Sequence, residues 1–327
     1  MSATSLPVEG RMPALDGATG WLNSEPLTPE SLRGRVVLVD FWTYTCINWL
    51  RTLPYVRAWA ERYRDQGLVV LGVHTPEFSF EGDVDNVRRA VEDMRIPYPV
   101  AIDTGYGVWE AFANRYWPAL YFVDATGRIR HHVFGEGDYD RSERVIQELL
   151  AEAGAAVAGG PLVPVAGDGI EAPADWDDLR TGETYLGYGQ GSGLASPEAA
   201  VGDQRREYTI PASLRLNQWA LSGTWTVGSE AVVLEEPGGR IAFRFHARDV
   251  HLVMAPVTGG RPARFRVRLD GRPPADAHGV DVDERGEGTA SEQRLYQLIR
   301  QPLPIADRLF EIEFLDAGVG AVVFTFG

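Results

Sequence analysis

The sequence predicts an α/β domain followed by an all-β sandwich of jelly-roll type. Over residues 1–154, buried apolar runs alternate with stripes of helical spacing. After about residue 179 the stripes end, and short alternating runs separated by Gly, Pro and Asp turns take over. Between them lies 155–178, AAVAGGPLVPVAGDGIEAPADWDD, whose composition reads as a linker. The expected organisation is therefore domain 1–154, linker 155–178 and domain 179–327. A chain of 327 residues is long enough for two separate cores.

The first run, RVVLVDFW (35–42), is β-branched and apolar and reads as a buried strand. A short loop follows, then a helix to about Arg64 with Leu50, Leu53, Val56, Trp59 and Tyr63 on one stripe. Pro54 should kink it. LVVLGVH (68–74) is a second buried strand, and Val84, Val87, Val91 and Met94 mark a second helix. A short strand at 99–103 and a helix over 106–113 come next. ALYFVD (119–124), a Thr-Gly turn and RIRHHVF (128–134) form a hairpin, and a last helix covers 139–153. The order β-α-β-α-β-α-β-β-α implies a mixed sheet with helices on it. In the second half, runs such as WALSGTWTV, RIAFRFHA, VHLVMAP, RFRVRLDG and AVVFTF read as strands.

The net charge is −15, and both halves are acidic, so no nucleic-acid partner is expected. All 31 basic residues are Arg, which rules out a lysine Schiff base. No apolar run reaches the roughly 18 residues a membrane span needs, and the N-terminus lacks a basic start and an apolar stretch. No membrane partner is expected, and a cytoplasmic location is. The single cysteine forbids a disulfide within the chain and a Cys-rich zinc site. His131 and His132 are adjacent on a strand and point to opposite faces. Neither a metal nor a cofactor is expected.

That cysteine, Cys46, falls where a strand feeds a short loop and then a helix. Unpaired N–H groups and the helix dipole at such a point favour a thiolate, the nucleophilic form. The segment VLVDFWTYTC resembles the active-site segment of thioredoxins. DFWTYTCINWLRTLPYVRAW and GVHTPEFSFE resemble the thioredoxin-like domain of DipZ-type proteins, and so, for their second domain, do ETYLGYG, NQWALSGTW, ARDVHLV, LYQLIRQ and FEIEFLDAGVGAVVFTFG. In that family this region follows a membrane electron-transfer domain that the present sequence does not contain. The resemblance implies a thioredoxin-like fold and, for the second domain, a likeness to carbohydrate-binding modules.

The family motif is Cys-x-x-Cys, whereas this sequence reads Cys46-Ile47-Asn48-Trp49. Without a second thiol, a mixed disulfide on Cys46 cannot be resolved within the molecule. Trp49 either fills space in a retired site or forms a substrate wall beside Cys46, since i and i+3 share a helix face. Asp40 matches the family's buried acid, which helps deprotonate the resolving cysteine. Here that cysteine is absent, and burial should raise the Asp40 pKa. Pro118 matches the family's cis-proline, and Trp117 precedes it, giving an expected aromatic cleft of Trp49 and Trp117. His74 ends the second buried strand at the sheet edge that carries Cys46. It is a candidate base, with Glu77 to orient it. Thr43 and Thr45 flank the thiol as binding residues, and Thr43-x-x-Cys46 resembles the peroxiredoxin motif without its upstream proline.

These residues leave several functions open. The first is a thiol enzyme with Cys46 as sole nucleophile, a monothiol oxidoreductase or repurposed thiol enzyme. It would act on a small-molecule or protein thiol or disulfide with an external thiol reductant. The others are a retired thioredoxin-fold binding or scaffold protein, a one-cysteine peroxidase, and a chaperone-like module using the cleft at Pro118. In the second domain, Trp219, Trp225, Tyr185, Tyr188 and Tyr208 are candidates for an aromatic sugar platform. A docking or homo-oligomer surface is the other reading there.

Overall fold

A computed structural model describes residues 6–157, 159–256 and 261–327. The chain forms two compact units, one ending at Glu171 and the other beginning at Ala172.

The first unit is built on β1 (Gly10–Arg11), β2 (Gly20–Leu22), β3 (Val36–Trp42), β4 (Leu68–His74), β5 (Val100–Ile102), β6 (Ala119–Val123) and β7 (Arg128–Phe134). Its helices are α1 (Ile47–Tyr63), α2 (Val84–Asp93), α3 (Gly107–Ala111) and α4 (Tyr139–Glu152). The sheet order is β1-β7-β6-β3-β4-β5-β2, with β3, β4 and β5 parallel and β6 and β7 antiparallel. Strand β3 is central and wholly buried, which explains its nearly continuous apolar run. Alternation sends Val37, Val39 and Phe41 to one face, where they pack with Val108 and Phe112. Leu38, Asp40 and Trp42 face the other side, where α1 lies. Helix α1 runs unbroken through Pro54.

Two short edge strands, β1 and β2, add to the expected order, capping the sheet against β7 and β5. Within the 155–178 stretch, residues 160–171 are tied to the first unit. The Val163 N–H donates to Glu143 at 2.9 Å, and the Gly160 carbonyl accepts from Arg144 at 2.7 Å. Glu171 pairs with Arg57 at 2.6 Å.

The second unit is all β. Its strands are β8 (Thr184–Tyr185), β9 (Arg205–Tyr208), β10 (Trp219–Val227), β11 (Val232–Leu234), β12 (Arg240–Phe245) and β13 (Asp249–Pro256), followed by β14 (Ala263–Leu269), β15 (Glu287–Ala290), β16 (Arg294–Arg300), β17 (Arg308–Phe314) and β18 (Val319–Phe326). The sheet curls into a sandwich at β10. The first half of that strand pairs with β12 and its second half with β9 and β11. Gly223, at φ +92°, sits at the turning point, where a Cβ would lie 3.0 Å from the Gly239 Cα.

The aromatic platform expected in this unit is corrected. Tyr208, Trp219 and Trp225 are each at most 1% exposed and belong to the core between the folded-over strands. Their N–H groups go to nearby carbonyls, Trp219 to Ser192 and Trp225 to Ser222. Of the five candidates, Tyr188 is exposed and Tyr185 half-buried.

Candidate active site

Strand β3 ends at Trp42 and α1 begins at Ile47, so Thr43 to Cys46 form the connecting loop. Cys46 is the N-cap of α1, with extended backbone at φ −73° and ψ 112°. Its N–H donates to the Thr43 carbonyl at 3.3 Å, and its carbonyl accepts from Leu50 at 2.9 Å. The thiol thus stands at the positive end of a long helix. Over residues 41–50, only Cys46 and Asn48 are partly exposed.

Trp49 does not line a cleft with Cys46. It is fully buried, stacks on Trp42 with ring centres 4.3 Å apart, and donates its indole N–H to Asp40 Oδ2 at 3.1 Å. Helical spacing sets which positions are neighbours but not whether the ring turns to solvent or core, and here Trp42 and Asp40 hold it in the core. Asp40 is fully buried, and that burial pushes its pKa up to about 7 against the pull of Trp49 and Tyr98. Gly72, opposite Asp40 on β4, leaves room for these rings. A Cβ there would come within 2.9 Å of Trp42 Nε1 and 3.2 Å of Tyr98 Cε2.

His74 is opposite Trp42 in the β3–β4 register, as the sheet-edge reading requires, but it is only 1% exposed. Its ring stacks on Tyr44 at 5.7 Å and meets Trp42 edge-on at 4.8 Å. Burial pulls its pKa down to about 3, so the ring is a neutral packing element shut off from solvent. Access, rather than basicity alone, separates it from the role of a base. Thr43 and Thr45 are also buried rather than presented to a ligand.

The residue that organises the site was absent from the sequence candidates. Glu81 is fully buried, and its carboxylate accepts four hydrogen bonds. Thr45 donates its hydroxyl at 2.6 Å and its N–H at 3.3 Å, and the N–H groups of Glu77 and Phe78 donate at 2.8 and 3.0 Å. Burial raises the Glu81 pKa, and these donors oppose the rise. Glu77 is half-buried, and its backbone, not its carboxylate, makes this bond. The only local signal was a Glu three residues after Phe78, a capping-box spacing without a capping residue at its start.

Loop 75–82 also reaches two other loops. The Thr75 hydroxyl donates to Asp103 at 3.1 Å, and Asp103 accepts from the N–H groups of Val108 and Trp109, fixing the start of α3. The Thr75 carbonyl accepts from the Trp117 indole at 3.0 Å. Trp117 is half-buried against Trp109, ring centres 4.2 Å apart, and the Trp117–Pro118 peptide is cis. The structure therefore ties Thr45 and Trp117 to one loop and turns Trp49, Asp40 and His74 inward.

Comparison with known proteins fits this geometry. A model of the AhpC/TSA family matches residues 12–132, and one described as a thioredoxin like C-terminal domain matches 181–327. The thiol-disulfide oxidoreductase YkuV of Bacillus subtilis is 30% identical over 141 residues, covering 43% of this chain and 95% of YkuV. The chain belongs to the thioredoxin-like thiol-disulfide oxidoreductase family. Protein DipZ of Mycobacterium bovis is 39% identical over 279 residues, which are 83% of this chain, and the chain spans only 38% of DipZ. A thioredoxin-like protein solved in its oxidized form is 32% identical, covers 44% of this chain and 96% of its own, and has a TM-score of 0.41. This chain has a single thiol, Cys46, and an indole, Trp49, three residues later.

Proposed function

We propose that the chain is a monothiol oxidoreductase with Cys46 as its sole nucleophile, acting on a small-molecule or protein disulfide. The supporting observation is the position of Cys46, a partly exposed residue at the N-cap of α1 in a loop otherwise buried. In the first step the Cys46 thiolate attacks one sulfur of the disulfide. A Cys46–substrate disulfide forms, and the other half leaves as a thiolate. In the second step an external thiolate attacks the substrate sulfur, forms a new disulfide with it and restores the Cys46 thiolate. In sum one disulfide is exchanged for another: one half of the substrate leaves as a thiolate and the other ends bonded to the external thiol. Release is intermolecular because Trp49 stands where a resolving thiol would.

The test is to incubate the native protein with oxidised glutathione and follow its mass. One glutathione adduct on Cys46, reversed by reduced glutathione and absent from Cys46→Ser, supports the reading. A second reading, a retired site kept as a binding scaffold, is favoured by the buried Trp49–Asp40 bond. An adduct that forms only after denaturation would select it.

A further inference from the structure

Glu81 is the one buried carboxylate bonded to the residue immediately before the thiol. All four of its partners are donors, so neither oxygen needs a proton to satisfy its neighbours. Among the described residues no Arg or His forms an ion pair with it, so neutral dipoles alone hold it. Two of the bonds go to Thr45, on the loop that delivers Cys46. The other two go to Glu77 and Phe78, on the loop after β4. The two loops are 36 residues apart in sequence and meet on one side chain.

We propose that Glu81 is the positioning residue for Cys46, a carboxylate clamp that makes the thiol loop and loop 75–82 one rigid unit. The proposal rests on the reading of Cys46 as a nucleophile. Gripping Thr45 through both hydroxyl and N–H fixes the chain direction into the N-cap, and with it the side from which a disulfide approaches. Because Thr75 also holds Trp117 and Asp103, the clamp couples the thiol loop to the indole beside Pro118. A buried carboxylate is a sensitive choice for this task. Glutamine in its place keeps an acceptor for Thr45 but turns an NH2 toward the N–H donors of Glu77 and Phe78, so these two bonds are lost.

The experiment compares the full chain with Glu81→Gln and Thr45→Val, using two readouts. The first is backbone amide exchange at Thr45, Glu77 and Phe78. The second is the rate of Cys46 modification by oxidised glutathione, resolved into a limiting rate and a half-saturating concentration. In Glu81→Gln the three amides should exchange faster together, by about tenfold or more, while those of Val108 and Trp109 keep their protection. The limiting rate should change by about fivefold or more, the loss expected of one good hydrogen bond. Thr45→Val, which removes only the hydroxyl bond, should show a smaller change of the same kind and carries the test if Glu81→Gln does not fold. Parental exchange at the three amides, or a Cys46 rate within about twofold of the parent in a folded variant, overturns the proposal. If the unmodified chain gives no adduct, the monothiol reading fails, and the exchange measurement still decides whether Glu81 clamps the two loops.

Discussion

Asp40 and His74 lie on neighbouring strands, β3 and β4, both are buried, and among the described residues neither forms an ion pair. Burial acts on them in opposite senses. It pushes the Asp40 pKa up from 3.8 to about 7 and pulls the His74 pKa down from 6.5 to about 3. Both groups are neutral in the folded protein near pH 5. Together they make the interior behind the thiol loop an uncharged aromatic layer with Trp42 and Trp49.

This pairing predicts how stability depends on pH. Between pH 3.8 and about 7, folded Asp40 holds a proton that the unfolded chain has lost, so its contribution falls as pH rises. Between pH 6.5 and about 3, the unfolded chain holds a proton on His74 that the folded form lacks, so that contribution falls as pH drops. The windows overlap and each slope approaches about 1.4 kcal/mol per pH unit, so for these two groups the chain should be nearly flat there. Asp40→Asn should leave stability rising with pH across the overlap, and His74→Phe should leave it falling. Urea unfolding at pH 4.5, 5.25 and 6, about the middle of the overlap, measures both. Parallel profiles for the two variants would refute the assignment.

Trp49 carries two separable interactions, the stack on Trp42 and the bond to Asp40. Trp49→Phe keeps a ring in the stack and removes the N–H donor. It should destabilise the first unit by about 1–3 kcal/mol. Trp49→Ala also empties the slot and should cost about 3–5 kcal/mol. Both are read from denaturant midpoints. An alanine variant as stable as the phenylalanine one would mean that the ring fills no space.

The sequence made the strands legible because burial wrote itself into their composition. Val36–Trp42 is apolar but for Asp40 since it is central and wholly buried. Edge strands of two or three residues, such as Gly10–Arg11, leave no period to read. The position of Cys46 was legible from strand, loop and helix. The inward turn of Trp49 was not, because its partners Trp42 and Asp40 lie on a strand that the fold brings beneath the helix. Glu81 was hidden for another reason. Its partner Thr45 is distant in sequence, and pairings of that kind are created by the fold. Aromatics on strands are more often core than platform, and on β10 Trp219 and Trp225 share the inward face.

The 160–171 stretch offers a test of what its docking contributes. Glu143 is buried and accepts from Trp59 at 3.1 Å, Tyr63 at 2.6 Å and the Val163 N–H at 2.9 Å, joining α1, α4 and this stretch. Glu143→Gln disrupts that junction and should lower the stability of the first unit by about 1–3 kcal/mol. It should also speed protease cleavage within 160–168 in the native protein, because the released backbone there has no helix or strand to hold it. Unchanged cleavage would show that the Arg57–Glu171 pair and the Gly160 contacts suffice.

The corner of the second unit depends on Gly223. Its φ of +92° is unfavourable for any other residue, and a Cβ would meet the Gly239 backbone at 3.0 Å, where no side chain can swing aside. Gly223→Ala therefore combines backbone strain with a backbone clash and should destabilise the unit by about 2–4 kcal/mol. Amide exchange separates this from a global effect. Protection should fall along β10 and β12 while the amides of β3 and β4 stay unchanged. Equal loss of protection in both units would show that the substitution acts elsewhere than at the corner.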